Sequence, residues 1–379
     1  MTEGRPLDGL VVADLSRVLA GPTAAVMLAD LGARVIKVER PGTGDDTREW
    51  GPPWAGSSSS YFESANRSKE SIALDFAEES DLAIARALVD RADIVIENSR
   101  SGALERYGLD AAVVRRRNPG AVYVSITGFG SGAGAELPGY DFLVQAVGGL
   151  MSITGEPDGE PMKVGVAVVD LLAGKDVVMG VLAALLHRER TGRGQHVEVN
   201  LLSSAVASLA NQASSYLATG AAPRRLGNHH PSIAPYGAFR AADGLLAIAV
   251  GNDRQWALLA SALDATELAG DKRFTTNGLR VENRDALIIE LESRLADADV
   301  AGWIERMGTA GIPAGKVNDV GEALALAAGL GLEPTMDVGA GHPAQLRHPV
   351  RYSAFEPVAP AAPPALDADR AAVLAWLGL

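Results

Sequence analysis

Residues 7–40, "LDGLVVADLSRVLAGPTAAVMLADLGARVIKVER", decide the fold of this chain. A short apolar run over 9–15 reads as a buried strand. "AGPTAAVMLADLGA" follows, with apolar residues at helical spacing, a Gly-Pro start and Gly32 as a stop. "RVIKVER" is the next strand. Strand, helix and strand joined by short turns make a βαβ unit, which implies a parallel sheet. The unit recurs downstream. "SIALDF" reads as a strand, "EESDLAIARALVDRA" as a helix and "DIVIENS" as a strand; "GLDAAVVRRRN" is a helix and "AVYVSITGFG" another strand. The fold class is α/β: an open, Rossmann-like parallel sheet, whose ligands sit beyond the C-terminal strand ends.

The pattern changes after about residue 225. "GAFRAADGLLAIAV" alternates on both sides of an Asp-Gly turn and predicts a hairpin, with helical segments after it. The expected organisation is a large α/β domain over 1–225, a smaller α+β domain over 226–325, and a return segment over 326–379 that completes the large domain. Residues 40–60 are rich in Gly, Pro and Ser, and a loop that long in an α/β domain is more often functional than idle.

With 379 residues, 47% hydrophobic and 21% charged, the chain is long enough for two globular domains. Its net charge of −13 and lack of a basic stripe argue against nucleic acid as a partner. The absence of cysteine excludes disulfides, thiolate metal sites and a Cys nucleophile. Six histidines without metal-ligand spacing give no expectation of a metal. No signal peptide or membrane-spanning run is read, so a cytoplasmic location is expected.

Asp170 interrupts the apolar run "KVGVAVVDLLAG" just before a helix predicted over 171–190. An unpaired carboxylate in an apolar setting is costly. Two readings stand on the residues alone. One is an N-cap aspartate, worth about 1 kcal/mol. The other is a reactive carboxylate at a strand end, with helix N–H groups near residues 171–174 holding it or a developing oxyanion. Gly21-Pro22 reads as a turn at a helix start and is not the glycine fingerprint of a dinucleotide site.

The order and spacing of several segments carry a resemblance across nearly the whole chain. They are "PLDGLVVADLSRVLAGPTAAVMLADLGARVIKVERPGTGD", "NRSKESIALDF", "ADIVIENSRSGALERYGLD", "SITGFG", "KVGVAVVDLLAG" and "LLHRERTGRGQHVEVNLLSSA". The chain resembles the class III CoA-transferases, the CaiB/BaiF family, which holds formyl-CoA transferase, carnitine CoA-transferase and α-methylacyl-CoA racemase. The resemblance implies that Asp170 is the catalytic nucleophile. It further implies that Leu19, Ala20, Arg40, Leu74, Asn98, Arg100 and Arg106 contact CoA. No tightly bound cofactor is implied: coenzyme A and acyl-CoA are substrates, and a small carboxylic acid is the acceptor. An interlocked homodimer, each chain threading the other, is implied as well.

Departures from the family pattern refine this. The racemase branch has Gly-His-Asp where this chain has Gly139-Tyr140-Asp141, and a phenol near pKa 10 is poorly matched to reversible α-proton removal at neutral pH. Transfer is therefore preferred over 2-methylacyl-CoA racemisation or a non-catalytic acyl-CoA-binding role. Tyr140 is assigned to the substrate site, as a hydrogen-bond partner of the acyl group or acceptor carboxylate. Leu19 stands at the position aligned with a glutamine of formyl-CoA transferase, which argues against oxalate or formate. "GNHHPSIAPY" looks like the branches that use carnitine or small dicarboxylates, with succinyl-CoA as the donor to expect first. His229 and His230 in that segment are candidates for a substrate loop, with cap and packing roles as the alternative.

Overall fold

The computed structural model describes residues 4–56, 58–339 and 341–379. By internal packing the chain forms two compact units. The larger comprises residues up to Leu150, Lys163–Gly220 and Gly331–Leu379; the smaller comprises Met151–Met162 and Ala221–Leu330.

In the larger unit, β1 (Val11–Asp14), α1 (Ala20–Asp30) and β2 (Arg34–Glu39) form the βαβ unit read from residues 7–40. They are followed by β3 (Lys69–Ala73), α2 (Glu79–Arg91), β4 (Ile94–Glu97), α3 (Ala111–Arg117) and β5 (Val122–Thr127). Next come α4 (Asp141–Val147), the long helix α5 (Val168–Thr191) and β6 (His196–Asn200). All strand pairs are parallel, in the order β3-β2-β1-β4-β5-β6. This is the doubly wound order, whose direction of winding reverses between β1 and β4.

Strand residues alternate between two cores. Val12, Ile94, Ile96 and Val124 point to one face, where they pack on α1 and on Ala173, Val177 and Val181 of α5. Val11, Ala13, Val95 and Tyr123 point to the other, packing on Leu82 and Leu88 of α2, Val114 of α3 and Val373 of the closing helix Arg370–Leu377. Both faces are covered, so these strands read as near-continuous apolar runs. Helix α5 lies close on α1: a Cβ added at Gly174 would stand 2.9 Å from the Ala20 carbonyl oxygen.

The smaller unit holds an antiparallel sheet in the order β9-β8-β7, from β7 (Tyr236–Arg240), β8 (Leu245–Ala249) and β9 (Ala314–Lys316). The first two form the expected hairpin. The helices Asp253–Ala262, Arg284–Leu295 and Val300–Thr309 supply Trp256, Leu291 and Trp303 to its core.

The loop after β2 is more structured than its composition indicates. Residues Asp46–Glu49 form a 3-10 turn capped by Asp45, and Ser60–Asn66 form a helix capped by Ser59.

Candidate functional site

A cleft of about 380 Å³ opens where the sheet reverses its winding. Its walls are the loop after β1 (Arg17–Ala20), the loop after β4 (Asn98–Ser101), the end of β5 (Ile126–Gly128) and the stretch Ala135–Tyr140; Asp170 also lines it. A doubly wound sheet leaves such a crevice because the loops from β1 and β4 diverge to opposite faces.

Asp170 is 9% exposed, and no donor among the described residues hydrogen-bonds its carboxylate. It is the third residue of α5, so it does not occupy the N-cap position. Ala167 stands there and has no capping side chain. The cap comes from Asp141, at the start of α4. Its Oδ1 accepts the N–H of Val169 at 2.8 Å and of Asp170 at 3.3 Å, and its Oδ2 accepts the Gln145 amide at 2.6 Å. The Leu171 N–H donates to the Ala167 carbonyl, and the amides beyond it lie inside the helix ladder. The expectation that amides near 171–174 cradle an anion is therefore corrected: they are spent within the protein. Burial, and then the Asp141 charge, push the Asp170 carboxyl up to about 7. This group is about half ionised at neutrality and poorly solvated, a perturbation of the kind found at functional sites.

Tyr61 feels the same charges. Its phenol is pushed up to about 12, first by burial and then by Asp170 and Asp141. Its ring meets Trp50 edge-on at 5.1 Å. Tyr140 lies on the cleft wall and is 64% exposed. The wall is tight behind it, because a Cβ at Gly128 would stand 2.5 Å from the Gly139 Cα.

The other predicted residues divide into four groups. Leu19, Ala20, Asn98 and Arg100 line the cleft with Asp170. Within that group, Asn98 spends its side chain on the β1 loop: Oδ1 accepts the Arg17 N–H at 2.9 Å and Nδ2 donates to the Arg17 carbonyl at 2.7 Å. Arg40 and Arg106 stand outside the cleft walls. Arg40 pairs with Asp46, which also receives Arg17 at 3.3 Å, so two guanidinium groups share one exposed carboxylate at the rim. Arg106 lies over the Tyr107 ring. Leu74 is packed in the core on the α2 side of the sheet. His229 and His230 belong to the smaller unit and make their contacts inside it. His229 packs edge-on against Phe239. His230 accepts the Ser232 N–H through Nδ1 and packs on Tyr236.

Sequence reasoning missed Asp141, Tyr61 and Arg17. The signal for Asp141 was the missing cap, because no residue just before the long helix can satisfy its first amides. It also missed the backbone of Val18, which stands at φ +70°. A β-branched residue there costs on the order of 1–3 kcal/mol. The next two residues, Leu19 and Ala20, open α1 on the cleft. Among the described residues, no group of three or more His, Asp or Glu side chains is placed to hold a metal.

Comparison with known proteins agrees with this geometry. Residues 7–370 match the family described as CoA-transferase family III. The chain is 46% identical over 332 residues to the succinate–glutarate CoA-transferase of Agrobacterium fabrum, covering 84% of this chain and 82% of that one. It is 42% identical over 371 residues to the mouse succinyl-CoA:glutarate CoA-transferase, covering 96% and 84%. The crystal structure of a CAIB/BAIF family protein from Brucella suis superposes with a TM-score of 0.90 at 44% identity, covering 99% of this chain and 100% of that one. A doubly wound sheet, a buried carboxylate at its switch point and this breadth of likeness converge on one assignment: the chain belongs to CoA-transferase family III and is an acyl-CoA:carboxylate CoA-transferase.

Proposed function

We propose that this enzyme moves CoA from succinyl-CoA to a small dicarboxylic acid, glutarate being the first acceptor to test, through an acyl anhydride on Asp170. The observation that carries the reading is the Asp170 carboxylate itself: buried, without a hydrogen-bond donor among the described residues, raised to about 7, and facing a cleft at the C-terminal strand ends. The substrate pair rests on the names of the Agrobacterium and mouse relatives.

In the first step an Asp170 oxygen attacks the thioester carbonyl of the donor. The C–S bond breaks, CoA leaves as thiolate, and a mixed anhydride remains on the enzyme. The thiolate then attacks the aspartyl carbonyl, the anhydride C–O bond breaks, and the donor acid departs, leaving an aspartyl-CoA thioester. The acceptor carboxylate attacks that carbonyl and expels the thiolate. The thiolate attacks the acceptor carbonyl of the new anhydride, so that the acceptor holds CoA and Asp170 is free again. No net proton is consumed, since one carboxylate enters and one leaves. Poor solvation strengthens the attacking oxygen and keeps water from the anhydride. The N-terminal end of α1 at Ala20 turns its positive dipole toward the same cleft, where charge develops on the thioester oxygen. Leu19, Ala20 and Arg100 bind the CoA chain, Arg40 and Arg106 its phosphates, and Tyr140 the acyl or acceptor carboxylate. Leu74 supports the nucleotide path from the core, and Asn98 acts by pinning the β1 loop.

The active form is proposed to be an interlocked homodimer. Met179, Leu182 and Leu186 share one face of α5 and are exposed in the single chain, as is Leu217, so an apolar surface is left for a second copy to cover. Light scattering after gel filtration should give a dimer mass. No helix among the described residues is long and apolar enough to cross a membrane. We propose a cytoplasmic location, where acyl-CoA is available. His229 and His230 are assigned to packing at the start of the small-unit sheet, which His229→Ala should test as a loss of stability rather than of acceptor affinity.

Intact-protein mass spectrometry after brief mixing with succinyl-CoA, followed by hydroxylamine trapping and peptide mapping, tests the nucleophile. A hydroxamate at Asp170, absent in Asp170→Ala, is the expected result. Full CoA transfer by Asp170→Ala would reject the reading.

A further inference from the structure

Beneath the β1 loop lies a scaffold of buried charge that takes no part in the acyl exchange. Lys37 sits in the middle of β2 with its side chain wholly shut from solvent. Its ammonium donates to the Ser16 carbonyl and to the Asp45 carboxylate, both at 2.9 Å. Asp45 accepts the Val18 N–H at 3.2 Å, and the N–H and hydroxyl of Thr47 at 3.0 and 2.8 Å. Lys37 thus brackets the Arg17 peptide from both sides: it holds Ser16 directly and Val18 through Asp45.

A buried ion pair is seldom a net stabiliser compared with apolar side chains of the same volume. Its effect here is on conformation. Any rearrangement of residues 16–18 would cost the buried ammonium its bond to the Ser16 carbonyl and Asp45 its bond from the Val18 N–H, leaving both charges less satisfied in the interior. Such a constraint can hold a backbone that the local chain resists, and Val18 at φ +70° is that backbone. Immediately after it, Leu19 and Ala20 enter the cleft that Asp170 lines. A second segment tied to the same carboxylate is the loop carrying Thr47, whose carbonyl oxygen accepts the Ser59 hydroxyl at the start of the helix that bears Tyr61. One buried ion pair therefore ties together the loops that carry Leu19, Ala20 and Tyr61.

We propose that Lys37 and Asp45 are positioning residues for CoA transfer, and that they hold the left-handed turn at Val18 which sets Leu19 and Ala20 against the reacting carboxylate. The inference rests on Asp170 being the attacking group. Its content is a coupling: the strut matters because a β-branched residue occupies the turn.

The test is a double-mutant cycle on kcat with succinyl-CoA and glutarate. Asp45→Asn should lower kcat about 10-fold or more in the natural background. It should lower kcat less than about 3-fold in the Val18→Gly background, because glycine adopts a positive φ without help. Melting temperatures of all four proteins are measured alongside; a merely structural Asp45 would lower stability equally in both backgrounds and leave the two kcat ratios the same. Equal kcat losses in the two backgrounds would overturn the proposal. If Asp45→Asn does not accumulate in folded form, Thr47→Val removes one bond to the same carboxylate, with about a 3-fold loss expected against none in the Val18→Gly background; equal losses there would overturn it too. Failure of the Asp170 reading appears elsewhere, as CoA transfer retained by Asp170→Ala.

Discussion

Replacing Asp170 by asparagine removes a charge while keeping the shape of the side chain. In the fold this carboxyl titrates near 7, against an ordinary value of 3.8. The native state therefore holds the proton more tightly than the unfolded chain by about three pH units, each worth about 1.4 kcal/mol. The sign follows from a raised value in the folded state. The contribution of the bound proton is fully present below about pH 3.8, fades as pH rises, and is gone above about pH 7. Above that point the fold carries a buried, ionised carboxylate at a cost of up to about 4 kcal/mol. An asparagine amide also forgoes water but carries no charge, so Asp170→Asn should be more stable than the natural chain by about 2–4 kcal/mol at about pH 8. The gap should shrink by about 2.3 kcal/mol between about pH 7 and pH 5, the group being half protonated already at the upper end. Urea unfolding followed by fluorescence of the five tryptophans, at several values from about pH 5 to 8, measures it. A gap that does not change with pH, or a natural chain more stable than the variant at pH 8, would refute the reasoning. Either result would mean that the carboxylate is well solvated or has a cationic partner in solution.

Three further outcomes are expected. Initial rates of CoA transfer should rise with pH through an apparent value near 7, and Asp141→Asn should move that limb to lower pH by removing the second cause of the shift; an unmoved limb would reject the coupling. Gly174→Ala should destabilise the larger unit by about 1–3 kcal/mol and reduce kcat, since its Cβ would press on the Ala20 carbonyl; thermal melts and rates check both. Asn98→Ala should release both bonds to the Arg17 main chain, cost about 1–3 kcal/mol and raise KM for acyl-CoA, whereas Asn98→Asp keeps the acceptor and should restore part of the loss.

The elements of the larger unit were legible because their signals are local. Apolar runs of four to six residues, Gly-Pro at a helix start and Gly32 after its end mark β1, α1 and β2 without reference to the rest of the chain. The hairpin at the Asp-Gly turn was legible for the same reason. Helix α5 was placed three residues late, since its cap is Asp141, 28 positions before Val169. Lys37 reads in sequence as an ordinary polar residue of a strand, yet it is fully buried, because its partner Asp45 lies in a loop whose path is set by tertiary packing. Asn98 was read as a ligand contact; its two bonds to Arg17 cross from one strand-end loop to another over a separation of 81 residues.

The sequence by itself determined which segments become strands and helices, that the strands run parallel, and which carboxylate interrupts an apolar run. It also carried the family likeness, which lies in the order of motifs. Only the tertiary structure decided the reversal of winding between β1 and β4, the shared cleft of Leu19, Asn98, Arg100 and Asp170, and the charge state of Asp170. The reason is physical. Backbone propensity and capping act over a few residues along the chain, whereas desolvation and Coulomb energy depend on distance and burial in space. Asp141 is 29 residues from Asp170 in sequence, and only the packing of α4 against α5 makes it the neighbour that raises its proton affinity.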